Sequence, residues 1–336
     1  MARNLHAEIT NRILAHLKEG VAPWRQSWSS KGTGAMPRNA STGRAYSGVN
    51  VPLLWCEQQE RGFASSGWLT FKQARAAGGS VRKGEKGSTV VFVSTIERED
   101  EQTGKLRKIP FLKAYTVFNV EQCDDLPAHM LPQAEPINAD RRDELAEEFL
   151  AATGAKIRHG EGRAYYRRSE DIINLPIFAS FVSADRYYGT AFHELAHWTG
   201  AEHRLNRIKG KKFGDQEYTY EELVAELASA FLSAEFGYDN DQAAASYLDG
   251  WIKFLADHET AFMSAASDAS KAVAYLRELA LAEASAEPVQ AEPIAAEPVQ
   301  VAARAIERPA LRRAVQDFDT SALPLFGDQA RQLALF

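Results

Sequence analysis

The sequence has few cysteines and no long apolar run. Its two cysteines, Cys56 and Cys123, are too few for the disulfide framework of a small secreted protein. No stretch of about 18 apolar residues is present, which argues against a transmembrane helix. Charged residues are spread through residues 1–20, where a signal peptide would need an apolar region. We therefore expect a protein of the reducing cytoplasm with no membrane partner.

The net charge of −6 hides an uneven distribution along the chain. In residues 1–96, Lys and Arg outnumber Asp and Glu by 13 to 5, whereas in residues 133–284 they are outnumbered by 26 to 16. Such asymmetry indicates a basic front part that binds polyanions and a separate acidic body.

The first part of the chain, residues 1–130, reads as an α+β module. Short helical patterns alternate with β-rich runs at Thr89–Thr95 and Leu112–Val120. These two runs flank the charged turn Glu97–Lys108, which predicts a β-hairpin.

A proline-rich stretch then marks a boundary, and residues 131–284 read as a mainly helical second domain. Residues 285–336 open with a repeated Glu-Pro unit that has nothing bulky to bury. Such a composition cannot offset the entropy of ordering, so we predict a disordered tail. The expected fold class is therefore α+β, with a helical second domain and a disordered C-terminal tail.

The second domain contains an HExxH pattern, His193-Glu194-Leu195-Ala196-His197. Histidines four residues apart lie on one face of a helix, so both imidazoles can bind one Zn²⁺ or another divalent ion. Glu194 is placed beside them to act as general base on a water molecule. The pattern predicts a metal-dependent hydrolase site with His193 and His197 as ligands and Glu194 as the catalytic residue.

The third metal ligand has three candidates. His203 completes the spacing HExxHxxGxxH, but the Met-turn that accompanies this spacing is missing. Glu222 and Thr219 form a T-x-x-E pattern that is typical of a helix N-terminus and explains Glu222 without a metal. Glu226 lies one turn further into an apolar helix, where a buried carboxylate needs a nearby cation. We predict Glu226 as the third ligand, with Glu222 and His203 as alternatives.

Aromatic and cationic residues are interleaved in the first part of the chain, where four of the six tryptophans fall within residues 1–68. Bases stack on aromatic rings while Lys and Arg contact phosphates, so this pattern favours single-stranded nucleic acid. The glycine-rich residues 78–87 add three cations among backbone N–H groups suited to phosphate. The alternative is that the tryptophans form a core beneath a solvated cationic face. The candidates for nucleic-acid contact are Trp24, Arg25, Trp28, Arg44, Tyr46, Trp68, Arg82, Lys83 and Lys86.

Several segments resemble the ArdC-type antirestriction proteins. They are Tyr46–Asn50, Gly67–Ala74, Gly79–Glu85, His193–Gly200, Arg204–Arg207 and Glu221–Glu226. The resemblance implies a single-stranded-DNA-binding domain over residues 1–130, also similar to plasmid TraC primases, and a zincin-like metallopeptidase domain over residues 131–284. It adds Asn50 and Lys72 to the nucleic-acid candidates and favours a glutamate as third metal ligand.

The resemblance further implies a protein of conjugative plasmids and other mobile elements that protects or processes incoming DNA. We expect single-stranded DNA as a partner, zinc as the cofactor and a protein as the substrate of a metallopeptidase. Two alternatives stay open. One is a DNA-binding module whose metal is purely structural, and the other is a primase or DNA-transfer accessory protein, although the first domain shows no DxD-type carboxylate cluster.

The chain ends in Gln332–Phe336, QLALF. This pentapeptide resembles the motif by which bacterial polymerases and repair proteins bind the DNA polymerase sliding clamp. A short flexible segment can bind in this way without a fold of its own. We therefore predict the clamp as a further partner, while the alternative is an apolar terminus that packs back on the protein.

Overall fold

The structure, a computed structural model, describes residues 4–25, 36–99, 106–131, 139–207, 216–239 and 245–285. Trp28 and the tail segment Gln332–Phe336 therefore lie outside the described residues. The mixture of helices and sheets confirms the expected α+β class. Among the described helices, none is long and apolar enough to cross a membrane.

The helices frame both parts of the chain. They are α1 (Leu5–Lys18), α2 (Asn50–Arg61), α3 (Phe71–Ala76), α4 (Ala139–Ala152), α5 (Ala184–Thr199), α6 (Gln216–Phe236), α7 (Ala245–Asp257) and α8 (Ala261–Ser285). Local sequence explains two of their starts. The Asn4 side chain caps α1, and Thr70 and Gln73 form a reciprocal capping box at the start of α3.

The strands form three sheets in the described residues. They are β1 (Arg38–Asn39), β2 (Gly67–Leu69), β3 (Ser80–Val81), β4 (Ser88–Glu99), β5 (Leu106–Asn119), β6 (Cys123–Asp124), β7 (Lys156–His159), β8 (Tyr165–Arg167) and β9 (Ile172–Leu175). The sheet orders are β1-β2-β5-β4, β3-β6 and β7-β9-β8, and in the last sheet β9 runs parallel to β7 and antiparallel to β8.

Strands β4 and β5 confirm the expected hairpin and are longer than the sequence indicated. They pair antiparallel from Ser88 opposite Val117 to Glu99 opposite Leu106. Gly87 lets the two strands approach at the base of the hairpin, because a Cβ there would lie 2.2 Å from the Thr116 methyl carbon. A side chain at this position would require the Thr116 side chain to move.

One continuous apolar core joins the two predicted domains. Residues of α1 and α2 belong to the same buried cluster as residues of α5, α6, α7 and α8. Trp24 contacts Trp251 of α7 and Phe262 of α8, with ring centroids 5.7 and 5.6 Å away. Trp55 of α2 similarly lies 5.9 Å from Phe231 of α6. The N-terminal part therefore packs on the helices of the second half.

Candidate functional site

Helix α5 carries the HExxH pattern and brings its two histidines together. The Ser183 hydroxyl caps the helix by accepting a hydrogen bond from the Arg186 N–H. His193 and His197 lie one turn apart, with their Nε2 atoms 3.1 Å from each other. The sequence prediction that both imidazoles share one helix face is confirmed.

Helix α6 supplies a carboxylate to the same point. The Glu222 oxygens lie 3.4 Å from His197 Nε2 and 3.6 Å from His193 Nε2. Helices α5 and α6 are locked together by the buried Ser229 hydroxyl, which donates to the Gly189 carbonyl at 2.8 Å. Donors bound tetrahedrally to a divalent ion at about 2.0–2.1 Å lie roughly 3.3 Å apart, so these three groups fit such an ion.

The structure corrects the choice of Glu226 as third ligand. Its Oε1 lies 4.0 Å from Nδ1 of His193, the nitrogen that faces away from the other donors, and 3.5 Å from Arg25. The T-x-x-E pattern misled the prediction, because Thr219 lies inside α6 and does not cap it. His203 is also excluded by position, since its side chain is 62% exposed and lies beside Asp171.

The charges around the histidines favour a bound cation. Burial opposes protonation of His197, but the carboxylates of Glu221 and Glu222 outweigh it and raise the pKa of His197 to about 10. Burial also works against the ionised form of Glu222, yet hydrogen bonding to the histidines lowers its pKa. Burial opposes protonation of His193 too, but hydrogen bonding to Glu222 and the charges of Glu226 and Glu194 raise the pKa of His193. Glu194 itself is buried on α5. Raised histidine pKa values in a buried site indicate a negative electrostatic potential, which also attracts a metal cation.

A second carboxylate orients His197 from behind. The Glu221 Oε1 lies 3.3 Å from His197 Nδ1, and Arg207 donates to both Glu221 oxygens at 2.8 and 2.9 Å. Arg207 also donates to the Ala196 carbonyl at 2.8 Å, which ties this pair to the end of α5. Sequence reasoning did not assign Glu221 or Arg207. The signal was their place beside the HExxH pattern, in the segments Arg204–Arg207 and Glu221–Glu226.

Several residues that the sequence predicts to contact nucleic acid are buried in the structure, which corrects those predictions. Trp24 and Trp68 have no exposed surface, so the prediction that they stack on bases is wrong for this fold and the core alternative is confirmed. Tyr46 is also buried, and the Asn50 amide bonds both the N–H and the carbonyl of Val91 at 2.8 Å. Arg25 lies inside the protein beside Glu226.

The remaining described candidates are accessible. Lys72, Lys83 and Lys86 are exposed, and Arg44 is half-buried. Arg82 is exposed too, although it donates to Glu85 and to the Glu121 carbonyl at 3.0 and 2.6 Å. The cationic side of the nucleic-acid prediction thus lies on the surface.

Exposed aromatic rings lie on the β4–β5 hairpin, where the sequence prediction had not placed them. Phe92 lies opposite Lys113, and Tyr115 and Phe111 flank Lys113 on the same face of the sheet. Phe92 contacts Tyr115 edge-on at 5.3 Å, and Lys113 lies over the Tyr115 ring. We call Phe92, Phe111, Lys113 and Tyr115 the hairpin aromatic face. All three of its rings are at least 40% exposed.

Two family comparisons cover most of the described chain. Residues 3–118 match the family described as the N-terminal domain of anti-restriction factor ArdC, and residues 144–268 match a zincin-like metallopeptidase family. The chain is also similar to crystal structures of the antirestriction ArdC protein from the R388 plasmid. The metal-free form is 42% identical with a TM-score of 0.72, and the Mn(II)-bound form is 41% identical with a TM-score of 0.70. Each match covers 83% of this chain, and 99% and 98% of the respective ArdC chains.

Two curated relatives differ in how much of their own length the match covers. The DNA primase TraC of Escherichia coli is 41% identical over 290 residues, which are 79% of this chain and 26% of TraC. The uncharacterized protein y4eC of Sinorhizobium fredii is 36% identical over 281 residues, which are 80% of this chain and 90% of y4eC. The chain thus spans about a quarter of the length of that TraC primase.

Proposed function

Because the chain belongs to the ArdC family of antirestriction proteins, we propose that it binds single-stranded DNA and hydrolyses peptide bonds at a divalent-metal site. Its role would be to protect DNA that enters a bacterial cell. It would act in the cytoplasm. The observation that carries the hydrolytic part is the meeting of His193, His197 and Glu222 within 4.8 Å of one another. The Mn(II)-bound ArdC structure supports a divalent ion, and the imidazole and carboxylate donors here suit zinc as well as manganese.

The residues of this chain divide the chemistry between them. His193, His197 and Glu222 would hold the ion, which supplies Lewis acidity toward a peptide carbonyl. Glu194 then takes a proton from the attacking water and delivers it to the leaving amine. Its burial beside His193 keeps this proton transfer away from bulk water. The second carboxylate, Glu221, fixes His197 so that Nε2 faces the ion.

The surface of the N-terminal part provides the DNA contacts in this proposal. Lys72, Lys83 and Lys86 are exposed and would track phosphates, while the hairpin aromatic face offers rings for base stacking. Trp24 and Trp68 are fully buried and would not touch DNA. Binding should therefore depend on salt more than on base sequence.

A plasmid-transfer assay tests the proposal directly. A plasmid encoding the protein is transferred into cells that restrict its DNA, with wild type compared with Glu194→Gln. Loss of protection in Glu194→Gln, with metal content unchanged, supports peptidase chemistry. Full protection by Glu194→Gln would instead establish a DNA-binding module with a structural metal.

The primase alternative has weaker support. Within the described ranges, His193, His197 and Glu222 are the one group of side chains arranged to hold a metal ion. A histidine-rich donor set suits hydrolysis at zinc better than the all-oxygen magnesium sites of phosphoryl transfer. Since the chain covers 26% of that TraC primase, the similarity supports a shared DNA-binding and metal-binding part.

We also propose the DNA polymerase sliding clamp as a partner of the C-terminal segment. Gln332–Phe336 would bind the DNA polymerase sliding clamp and bring the protein to replication of newly entered DNA. Full-length protein should bind the clamp at tens of micromolar, roughly the range of weak peptide motifs. Changing both Leu335 and Phe336 to Ala should abolish that binding, and equal binding by the variant would end the idea.

A further inference from the structure

A buried arginine of the N-terminal part lies beside the candidate metal site. The Arg25 side chain is 6% exposed, and its Nη2 is 3.5 Å from Glu226 Oε1. Its guanidinium also lies 5.4 Å from the ring centroid of Trp251. None of its three nitrogens has a hydrogen-bond partner among the described residues, which leaves Glu226 as the ion-pair partner shown there. An arginine is costly to bury, so its place beside this one carboxylate requires an explanation.

The outer sides of the two histidines are arranged alike but not equally closely: hydrogen bonds join His197 to Glu221 and Glu221 to Arg207, whereas His193, Glu226 and Arg25 lie within ion-pair distance only. His197 Nδ1 faces Glu221 at 3.3 Å, and Glu221 pairs with the buried Arg207. His193 Nδ1 faces Glu226 at 4.0 Å, and Glu226 pairs with the buried Arg25. Each imidazole is therefore followed by a carboxylate and then by an arginine. Arg207 comes from the segment after α5, whereas Arg25 comes from the segment after α1.

We infer that Arg25 and Glu226 are positioning residues for His193. A neutral histidine that offers Nε2 to an ion carries its proton on Nδ1, and a carboxylate facing that proton fixes the ring. Arg25 holds the Glu226 carboxylate on the Nδ1 side of the ring, which leaves Glu222, one turn earlier on α6, as the ligand. The inference rests on the metal site of the proposed function. It adds that the N-terminal part completes a centre whose other members all lie in the second half.

Removing the Arg25 charge distinguishes a positioning role from a purely electrostatic one, because the two roles predict opposite changes in metal affinity. A nearby positive charge repels a divalent cation, so its loss would tighten metal binding if Arg25 acted only through its charge. If Arg25 acts by holding Glu226, its loss weakens binding by about ten-fold, the lower end of the effect of outer-shell partners. The measurement is calorimetric titration of full-length, metal-free protein with Mn²⁺, repeated with Zn²⁺.

The variant set makes the role specific. Arg25→Gln and Glu226→Gln should each weaken binding, and the double variant should bind no worse than Glu226→Gln alone. Arg25→Lys keeps the charge and should recover much of the affinity. Arg12→Gln is the matched control, because Arg12 pairs with Glu57 and Glu60 at 2.5 and 2.8 Å within the N-terminal part. It should leave metal affinity unchanged.

Two further measurements keep the outcomes distinct. Thermal unfolding of each metal-free variant shows whether weaker binding follows from a damaged fold. His193→Ala and Glu222→Ala test the proposed site itself, which fails if wild type binds no metal or if these variants bind normally. If the site holds but Arg25→Gln binds Mn²⁺ as wild type does, or more tightly, the positioning role of Arg25 is overturned.

Discussion

Asp171 and Arg204 form a two-pronged ion pair that ties the β8–β9 turn to the end of α5. Arg204 donates to both Asp171 oxygens, with Nη1 to Oδ2 at 3.1 Å, and its Nε donates to the Trp198 carbonyl at 2.6 Å. The guanidinium also lies 3.8 Å from the centroid of the Trp198 ring. Asp171, in the turn, has a positive φ of 53°. The segment after the HExxH helix is thereby fixed to the β7-β9-β8 sheet.

The Asp171–Arg204 pair should make stability depend on acid. Hydrogen bonding from Arg204 holds the pKa of Asp171 at about 2, below its usual range. A depressed carboxyl pKa stabilises the fold above the unfolded pKa, near 4, and this contribution is lost as pH falls toward 2. Asp171→Asn, which tolerates the same backbone conformation, should lower the melting temperature at pH 6. The difference from wild type should shrink between about pH 4 and pH 2, and a difference independent of pH would contradict the assignment.

The shared core should make the chain unfold as one unit. Trp24→Ala removes a fully buried ring between the N-terminal part and α7, and should cost about 3–5 kcal/mol of unfolding free energy. Urea titration followed by circular dichroism and by tryptophan fluorescence should give coincident transitions. Phe92→Ala, which trims an exposed ring, is the control and should change stability little. Two separate transitions would show that the halves fold independently.

Much of the fold was predictable from local pattern, because caps, turns and alternation act over a few residues. The β4–β5 hairpin is predicted in this way. The tryptophans could not be assigned, since aromatic content is the same for a stacking surface and for a core, and only packing on Trp251 and Phe231 decides.

The metal ligands, too, were predictable only where local sequence decides their position. HExxH fixed His193 and His197 because both lie on one helix. Glu222 and Glu226 are one turn apart on α6, so sequence spacing places both on one face. The choice between them depends on how α6 packs on α5 and on Arg25, which is about 200 residues away in sequence and therefore carries no local signal.

Glu222 should be indispensable for metal binding. Glu222→Ala should reduce bound Mn²⁺ or Zn²⁺ far below one per chain, whereas His203→Ala should bind like wild type. Elemental analysis after dialysis measures the stoichiometry. Because the metal-free site keeps the pKa of His197 at about 10, binding near neutral pH should release protons and should tighten as pH rises. Normal metal content in Glu222→Ala would return Glu226 to the site.

The hairpin aromatic face should contribute to DNA binding separately from the lysines. Changing Phe92 and Tyr115 to Ala should weaken binding of single-stranded DNA by about 1–3 kcal/mol for each base that no longer stacks on a ring. Lys83→Gln with Lys86→Gln should instead reduce the salt dependence, by a slope of about 0.7 for each phosphate that is no longer neutralised by a lysine. Fluorescence anisotropy across a salt series distinguishes the two effects.

Lys156→Gln, at an exposed position of β7 in the second half, is the control and should leave both affinity and salt slope unchanged. Unchanged affinity in the aromatic variant, with wild-type stability, would place the bases elsewhere on the surface.

The common core of the two halves also bears on how such genes change. A recombination event near residue 130 would join the N-terminal helices of one protein to the α6–α8 helices of another, leaving Trp24 and Trp55 against unmatched partners. Most such chimaeras would carry cavities or clashes and would be lost. The two halves should therefore be inherited together, and the 290-residue stretch shared with the much longer TraC primase fits a single transmissible block.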